Sequence, residues 1–373
     1  MNSNFVECRS RVIIEDVDVG PFETFDMSAD PRTFGETAVL TIPLFAIGVE
    51  RGSDAYSRIR TVFKDNVVKP TAEISVYCWY TGMEEVCVFH GFIEHVTEGY
   101  PTKLYLRDSS FILRFGEMQA GWTGDISLQK IVEDCIPVAQ EAFSKEREYM
   151  GFTRAVPELR YDTTGDYVQA LTSPISFNNF AIGRAPYEVI QYLQQLLVLY
   201  AGVDNENRVF IGANSKDTKR PIIKLSTTSN VIERDITTVD GRFVGYDVKI
   251  TGILKNGKQY TATGGLRNTR TRAERGQLEA MLGESYRAFT TLDTVEAIQA
   301  AADRQLQMLK GFRNKGKLML LMYPKMQLLD SITYEDTIFP KANGSYYVMG
   351  YNFKANDSGF FQTINITDKV FMI

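Results

Sequence analysis

The stretch VFHGFIEHV at residues 88–96, followed by KLYLRD at 103–108, decides how this chain is interpreted. A similar arrangement lies near the other end, where YYVMGYNF at 346–353 leads to TINITD at 363–368. Each copy is an aromatic-rich run with an internal glycine, then a turn, then an alternating run that ends in aspartate. Alternation with a period of two is typical of strands with one buried face, and an internal glycine indicates a bulge or bend. The sequence predicts two copies of one β domain; the alternative is a chance likeness between two glycine-containing hairpins.

The composition is that of a globular protein. The chain has 373 residues, of which 44% are hydrophobic, 12% aromatic and 23% charged, so two or three domains are expected. A net charge of −5 argues against binding to nucleic acid through its phosphates. The N-terminus lacks the apolar core of a signal peptide, and the apolar stretch at 196–203 is too short to span a bilayer. We expect synthesis in a cytoplasm and no membrane insertion.

The first 115 residues or so show strand patterns, and the segment at 51–65 has the spacing of a short helix. A hairpin around Gly82 and Met83, with glycine first in a type II′ turn, places Cys78 opposite Cys87. A cross-strand disulfide is one interpretation, and two reduced thiols in a reducing cell is the other. The predicted strands are Thr37–Leu44, Ala72–Tyr80, Val86–Val96 and Lys103–Arg107.

The middle of the chain changes to a helical period. Ser127 is a predicted N-cap for a helix that Pro137 should end or kink. The segment at 149–185 is rich in loop-forming residues, and an amphipathic helix is then predicted from Pro186 to Gly202, before a short strand at 208–212.

The last third returns to strands around one helical interruption. Asn256-Gly257 predicts a hairpin between 243–254 and 259–263. Residues 271–311 read as helix, with Asp293 and Glu296 as a capping box and Gly311 as the stop. Its buried stripe is Val295, Ile298, Ala302, Leu306 and Leu309, and the strands that follow are Lys317–Tyr323, Ser331–Tyr334, Tyr346–Phe353 and Phe360–Ile366.

The predicted fold class is α+β, with two similar tube-type β-barrel domains and helical insertions. We place the first barrel domain at residues 1–115 and a helical or mixed insertion subdomain at 116–215. The second barrel domain is placed at 216–373, with a helical insertion at about 266–311.

No catalytic, cofactor or metal site is predicted. The two histidines, His90 and His95, are five residues apart on one strand and should face opposite sides unless a bulge intervenes. The sequence lacks a phosphate-binding loop and a nucleophile elbow. Residues 16–20 lack the later glutamate of a calcium loop, and Glu84 and Glu85 have no partner carboxylate that the sequence places opposite them. We expect no enzymatic activity and no cofactor.

The run at 88–108, a strand of the form F-x-G-x-I-x-x-V followed by an alternating strand that ends in Arg107-Asp108, resembles the first tube-like domain of contractile-tail hub proteins. These include the late-control protein D family and the hub portion of the type VI secretion spike. The helix and strand at 186–212 resemble the helical subdomain between the two hub barrels, and residues 330–364 resemble the last strands of the second barrel. The segment at 151–185 matches least.

The resemblance implies a homotrimeric baseplate hub in a virion tail, assembled in the host cytoplasm. Such a hub joins a sixfold tail tube to a threefold spike, contacts other baseplate proteins, and lets DNA or effectors pass through its bore without specific binding. Because this chain ends just after its last strand, the spike is expected to be a separate trimeric protein. The alternative is a glycan- or receptor-binding module, in which Tyr77, Trp79, Tyr80 and Phe92 stack on sugars; barrel core or protomer contact is the simpler account of these aromatics. A third interpretation is an enzyme with an unrecognised site.

Overall fold

The structure, a computed structural model, contains a large antiparallel sheet with helices and smaller sheets beside it. It describes residues 7–30, 34–43, 67–97, 99, 101–161, 174–178, 181–197, 200–203, 207–212, 222–238, 246–264, 284–289, 292–310, 314–321, 326, 328, 330–356 and 358–368. The predicted helix at 51–65 lies outside these residues. None of the described helices is long and apolar enough to cross a membrane.

The first part of the chain forms strands and one 3₁₀ helix. The strands are β1 (Cys8–Ile14), β2 (Val17–Gly20), β3 (Thr24–Ala29), β4 (Thr37–Ile42), β5 (Glu73–Tyr80), β6 (Val86–Thr97) and β7 (Thr102–Arg107), and the 3₁₀ helix is Ser109–Arg114. Within the large sheet, β3 pairs with β4, β4 with β7, β7 with β6, β6 with β5, and β5 with β1, all antiparallel.

The middle part supplies two helices and small sheets. Ser127 caps the first helix as predicted, because its hydroxyl accepts a hydrogen bond from the Lys130 backbone at 3.2 Å. The elements are β8 (Thr123–Ser127), α1 (Leu128–Tyr149), β9 (Arg160–Tyr161), β10 (Pro174–Asn178), α2 (Pro186–Leu197), β11 (Tyr200–Val203) and β12 (Arg208–Gly212).

Neither predicted stop ends a helix here, whereas a kink at Pro137, the other predicted effect of this proline, stays a prediction. Helix α1 continues through Pro137 to Tyr149, because Ala139, Phe143 and Arg147 beyond the proline are buried against the rest of the fold. Gly202 does not end α2; it lies in β11, where an added Cβ would come within 2.8 Å of the Phe210 ring. Tertiary packing therefore overrides the local stop signals.

The last part returns to the large sheet around a small α/β insertion. The elements are β13 (Ile223–Ser226), β14 (Val231–Thr238), β15 (Tyr246–Ile253), β16 (Gln259–Thr263), β17 (Glu284–Phe289), α3 (Val295–Lys310), β18 (Asn314–Leu321), β19 (Ser331–Glu335), a 3₁₀ turn at Pro340–Ala342, β20 (Gly344–Asn356) and β21 (Gly359–Thr367). In the insertion, β15 pairs antiparallel with β16 and parallel with β17, and α3 packs on β15 and β16.

This insertion corrects part of the helical prediction for 271–311. Residues 284–289 form a strand beside β15 rather than helix. The helix cap is Thr294, whose hydroxyl accepts from the Ala297 backbone at 3.3 Å, so Asp293 and Glu296 do not form the predicted capping box. Val295 is exposed, whereas Ile298, Ala302 and Leu306 of the predicted stripe are buried. Gly311 lies outside the described residues.

The large sheet has 13 strands and runs unbroken from one part of the chain to the other. Its path is β14-β18-β21-β20-β3-β4-β7-β6-β5-β1-β2, with β13 and β19 attached beside β20. One face of the sheet covers a core that draws residues from both ends of the chain. A second core lies among the helices and the smaller sheets. The α+β class with a large antiparallel sheet is confirmed; the two similar tube-type barrels and the domain boundaries stay predictions.

Candidate assembly site at the junction of the two halves

The pairing of strands is duplicated within the chain. The order β3-β4-β7-β6-β5 in the first half recurs as β14-β18-β21-β20-β19 in the second. All four neighbouring pairs are antiparallel in both series. We call each series a five-strand module.

The two modules share their register as well as their order. Each module contains a hairpin, β6–β7 in the first and β20–β21 in the second, whose first strand has a β-bulge of one extra residue. The extra residue is Glu94 on β6 and Met349 on β20. The residue before each bulge pairs with the residue two positions before the closing aspartate, Asp108 or Asp368. Positions on β6 and β20 therefore correspond with an offset of 255 (349 − 94).

The closing aspartates make the same pair of contacts in both modules. The Asp108 backbone donates to the Glu36 carbonyl at 3.3 Å, and the Glu36 backbone donates to the Asp108 carboxylate at 2.8 Å. In the second module the Asp368 backbone donates to the Asn314 carbonyl at 3.0 Å, and the Asn314 backbone donates to the Asp368 carboxylate at 3.1 Å. Each aspartate thus ties the end of its hairpin to the start of the neighbouring strand.

The two glycines that the sequence comparison aligned are not counterparts. With the offset of 255, Gly91 corresponds to Tyr346 (91 + 255), and Gly350 corresponds to His95 (350 − 255). Each glycine makes room for a different neighbour. A Cβ on Gly91 would lie 2.0 Å from the Arg107 carbonyl oxygen, whereas one on Gly350 would meet the Asn365 side chain and the Ala29 carbonyl at 3.1 and 3.2 Å.

The modules meet where β20 pairs with β3. Five residues of β20, 351–355, pair antiparallel with residues 25–29. On the core face, the rings of Phe25 and Phe353 lie 6.0 Å apart. On the other face, Asp26 accepts a hydrogen bond from Asn352 at 2.8 Å and lies 3.4 Å from the Lys354 ammonium. Backbone, apolar and polar contacts therefore all join the halves at this seam.

A buried acidic cluster lies at the same seam. The Asp108 carboxylate is buried, accepts from the Ser110 backbone at 3.1 Å and contacts the Ser110 hydroxyl. Burial, followed by the nearby Glu36 carboxylate, raises the pKa of Asp108 from 3.8 to about 7. The Tyr351 hydroxyl donates to Glu36; burial and the Glu36 charge raise the pKa of Tyr351, which keeps this donor protonated. One residue of the second half thus completes a polar cluster of the first.

Above the seam, the face of the sheet opposite the shared core carries an open depression of about 620 Å³. Glu94 holds two cations at its rim, Arg107 at 2.8 Å and Arg114 at 2.9 Å, and Arg114 stacks on the Tyr187 ring at 4.5 Å. The lining residues are Ser28, Ala29, Asp30, Thr37, Arg107, Arg114, Tyr187, Lys317, Tyr351, Asn352, Thr363 and Asn365.

The charge of this face differs from the acidic balance of the whole chain. Alternation along the eight strands from β14 to β6 places both signs of charge on it, so the face is mixed rather than acidic. Its cations are Lys103, Arg107, Lys315, Lys317 and Lys354, and its anions are Asp26, Glu94, Glu233 and Asp235.

The bulge at Glu94 also corrects the prediction for the two histidines. Because it adds one residue between them, His90 and His95 face the same side of the sheet, opposite the shared core. They remain in separate contacts: the His90 ring lies 3.0 Å from the Ser75 hydroxyl, and His95 packs on the Tyr105 ring at 5.7 Å. Within the described residues, no group of His, Cys, Asp or Glu is placed to hold a metal ion.

The other residues that the sequence suggested for catalysis or for sugar binding do not form a common site. Glu85 pairs with Arg11 at 2.7 Å, whereas Glu94 pairs with Arg107 and Arg114, so the two carboxylates serve different contacts. Of the four aromatics, Phe92 is buried in the second core and Tyr80 packs against the first, as the core account predicts. Tyr77 and Trp79 share a face but are half-buried outside both cores, so for these two the core account is wrong and a protomer contact stays a prediction.

Sequence reasoning found the closing aspartates but missed the cluster around Asp108. A single aspartate after a strand looks like an ordinary turn residue. Its burial depends on Glu36 and Tyr351, which lie 72 and 243 positions away along the chain (108 − 36, 351 − 108). Two glycines near it were the available signal. Gly35 has φ of 90°, and a Cβ there would lie 2.0 Å from the Ser110 hydroxyl, whereas a Cβ on Gly91 would lie 2.8 Å from the Asp108 Cα.

No family profile and no curated protein matches the sequence. Solved structures do match. A tail protein from Neisseria meningitidis MC58 has a TM-score of 0.60 at 12% identity, over 97% of this chain and 97% of that one. The 43 kDa tail protein of prophage MuSo2 from Shewanella oneidensis has a TM-score of 0.58 at 12% identity, over 96% of this chain and 98% of that one.

A third match is an Escherichia coli component of the type VI secretion system, described as structurally similar to tail proteins of bacteriophage T4. Its TM-score is 0.51 at 9% identity, and the match covers 96% of this chain and 74% of that one. The resemblance drawn from residues 88–108 and 330–364 is thereby confirmed at the level of the fold. This chain has the fold of phage tail proteins and of a type VI secretion component.

Proposed function

We propose that this chain is a structural tail or baseplate hub of a phage or phage-like injection machine. The observation that carries the proposal is the duplicated five-strand module, with the same order, pairing sense and bulge position in both copies. The fold shared with tail proteins over nearly the whole chain supports the same role. The chain acts through shape and symmetry rather than by catalysing a reaction.

A duplicated module suits an adaptor between different symmetries. Three copies of a chain with two modules present six similar units around one axis, while the chain itself repeats three times. One side of such a ring matches a sixfold tail tube, and the other side matches a threefold spike. We propose this homotrimer, with a tail tube protein, a separate trimeric spike protein and other baseplate proteins as its partners.

We propose that the polar face of the large sheet lines the central channel. Its apolar face is occupied by the shared core, so the polar face is the one available to water. Its charges, of both signs, are interspersed along the strands, an arrangement that offers no continuous basic track to a phosphate backbone. DNA or an effector protein therefore passes without specific binding.

The same proposal covers the domain organisation and the location. Each five-strand module, with its neighbouring strands, curls into a tube-type barrel, within residues 1–115 and 216–373, and residues 116–215 form the helical subdomain between them. The protein is assembled in the bacterial cytoplasm and resides in the virion tail or the corresponding machine.

The mass of the purified full chain in solution tests the proposal. One chain has a mass of 42.2 kDa, so a trimer has a mass of about 127 kDa (3 × 42.2). Light scattering on the eluting peak at micromolar concentration should give the trimer mass. A mass of one chain at every concentration up to the solubility limit contradicts the trimeric hub.

A further inference from the structure

The depression above the seam is positively charged, although the chain as a whole carries a net charge of −5. Its lining contains three cations, Arg107, Arg114 and Lys317, and one carboxylate, Asp30. The formal charge of the lining is therefore +2 (3 − 1), or +1 when Glu94 at the rim is included (3 − 2). A cleft lined by one sign of charge concentrates groups of the opposite sign. The depression therefore favours an anionic ligand.

The two arginines are oriented by Glu94 and keep free donors. Arg107 bonds through its Nε to Glu94 at 2.8 Å, and Arg114 bonds through one terminal nitrogen at 2.9 Å. Among the described residues, the terminal nitrogens of Arg107 have no hydrogen-bond partner, and neither has the buried Nε of Arg114. Stacking on the Tyr187 ring fixes the plane of the Arg114 guanidinium. A guanidinium held in this way presents paired N–H groups that fit a carboxylate.

Lys317 supplies a second positive charge at the far end of the depression. It lies on β18, which is separated from Arg107 on β7 by four strands, β21, β20, β3 and β4. Five strand spacings of about 4.8 Å amount to about 24 Å along the sheet. The Lys317 side chain is exposed and, in the described part of the chain, makes no ion pair, although Asp235 lies opposite it on β14. A small anion cannot reach both ends of the depression, whereas an extended ligand can.

Between these two ends the lining is uncharged apart from Asp30. It consists largely of amide and hydroxyl side chains, which both donate and accept hydrogen bonds. These are Ser28, Thr37, Asn352, Thr363 and Asn365. Such groups suit the N–H and C=O groups of an extended peptide backbone. About eight extended residues span this distance, at about 3.4 Å per residue.

We propose that the depression binds an extended acidic segment of a partner protein, with one carboxylate on Arg107 and Arg114 and a second on Lys317. A nucleic-acid strand fits less well, because it carries a phosphate on every nucleotide. It would place several charges over the uncharged middle of the depression, beside Asp30.

The site occurs once in each chain. With the closing aspartates as the reference, the counterpart of Arg107 on β21 is Thr367 (107 + 260, where 260 = 368 − 108). The counterpart of Glu94 is Met349, so the second module has neither the arginine nor the carboxylate that orients it. We therefore expect one bound segment for each chain, whatever number of chains assembles.

Fluorescence anisotropy with a labelled peptide tests the proposal on the full chain. The probe is an eight-residue peptide with glutamate at both ends and alternating serine and glycine between them. At low ionic strength, where charge pairs are least screened, the chain should bind one peptide. A peptide with glutamine at both ends should bind more weakly, by about tenfold or more. Equal binding of the two peptides, or no binding of either, overturns the proposal.

Two variants locate the ends of the site. Arg107→Gln should weaken binding of the glutamate peptide by about fivefold, and Lys317→Gln by about threefold, because the Arg107 side chain is only 22% exposed whereas that of Lys317 is exposed. Lys103→Gln is the matched control, since Lys103 is an exposed cation of the same sheet face that does not line the depression. It should bind the peptide as the parent chain does. Equal affinities in all three variants overturn the proposal.

Peptides with glutamine at one end only separate a direct contact from a structural effect. Lys317→Gln should weaken binding of one of these peptides and leave the other unchanged, and Arg107→Gln should show the reverse. Arg107→Gln also removes a partner of Glu94, so its unfolding in urea is measured alongside, whereas Lys317→Gln breaks no ion pair among the described residues. Equal losses for both peptides in the Lys317→Gln variant contradict the assigned ends.

The remaining outcomes separate this proposal from nucleic-acid binding and from the proposed function. A single-stranded DNA of eight nucleotides that binds more tightly than the glutamate peptide, and more weakly after Arg107→Gln, overturns the acidic segment in favour of nucleic acid. A trimer mass without peptide binding overturns this proposal and leaves the hub intact. Peptide binding by a chain that stays monomeric supports this proposal and contradicts the hub.

Discussion

At the residue scale, the fold places the Asp108 carboxylate in an environment far from that of a free aspartate. It is buried beside a second carboxylate, Glu36, and its pKa rises from 3.8 to about 7. The folded state therefore binds a proton at Asp108 across a pH range in which the unfolded chain does not. Such a group contributes stability that is fully present below about pH 4 and is lost as pH rises through about 7.

Asp108→Asn should remove this pH dependence. Asparagine cannot lose a proton, so the fall in the free energy of unfolding between pH 5 and pH 8 should be smaller in the variant than in the parent chain. Urea unfolding at several pH values measures the slope. Glu117→Gln, at an exposed carboxylate, is the matched control and should keep the parental slope. Equal slopes in the Asp108→Asn variant and the parent chain contradict a protonated Asp108.

Among the described residues, Arg147 has the largest fully buried side chain, and it fixes helix α1 to the sheet. Its guanidinium lies 2.9 Å from the Glu15 carboxylate, bonds to the Thr71 carbonyl and stacks on Phe152 at 4.8 Å. Removing one member of a buried ion pair leaves the other charge uncompensated, at a cost of about 3–5 kcal/mol.

Arg147→Met should therefore lower the free energy of unfolding by about 3 kcal/mol or more, measured by urea titration. The matched control is Arg160→Met, because Arg160 pairs with Glu158 at a similar distance of 2.7 Å but with both side chains largely exposed. That variant should unfold at nearly the parental urea concentration. Similar losses of unfolding free energy in the two variants would show that burial of the Arg147–Glu15 pair does not determine its contribution to stability.

At the element scale, β-bulges decide which residues face each other. Val76 on β5 pairs with Phe89 on β6. Counting two residues on from this pair along each strand, without a bulge, places Cys78 opposite Cys87. Val88 is an extra residue on β6, so Cys78 lies opposite Val86 and Cys87 opposite Tyr77. A shift of one residue reverses the face of a side chain, and Cys78 is buried while Cys87 is exposed.

We therefore expect no Cys78–Cys87 disulfide. Mild oxidation of the native chain followed by peptide mass spectrometry should recover no peptide joined through these two residues. Alkylation of the native chain should modify Cys87 readily and leave Cys78 and Cys135 unmodified until the chain is unfolded in urea. Recovery of the joined peptide in good yield would mean that the bulge at Val88 is absent.

The sequence predicted most elements because alternation and helical spacing are local properties. It predicted the hairpin turn at Gly82 in the wrong form: Gly82 is the third residue of the turn, with φ of 87°, not the first residue of a type II′ turn. The bulges at Val88 and Glu94 leave alternation almost unchanged, so pairing and facing across β5, β6 and β7 were not predictable. Helix α1 continued past Pro137 for the same kind of reason, since contacts remote in sequence hold its second half.

At the scale of the whole molecule, the sequence indicated a duplication but aligned it on the wrong glycines. The closing aspartates were the reliable markers, because each makes two backbone-directed hydrogen bonds that any copy of the module needs. The joining of both modules into one sheet through β20 and β3 had no local signal. It depends on residues more than 300 positions apart (351 − 29), and it is the feature on which the hub account depends.

Electron microscopy of the purified chain, with class averages viewed down the particle axis, tests the hub account most directly. The account predicts threefold rings with an open centre and six peripheral lobes, one for each five-strand module in three copies. Solitary compact particles at micromolar concentration, without rings in any view, would contradict it.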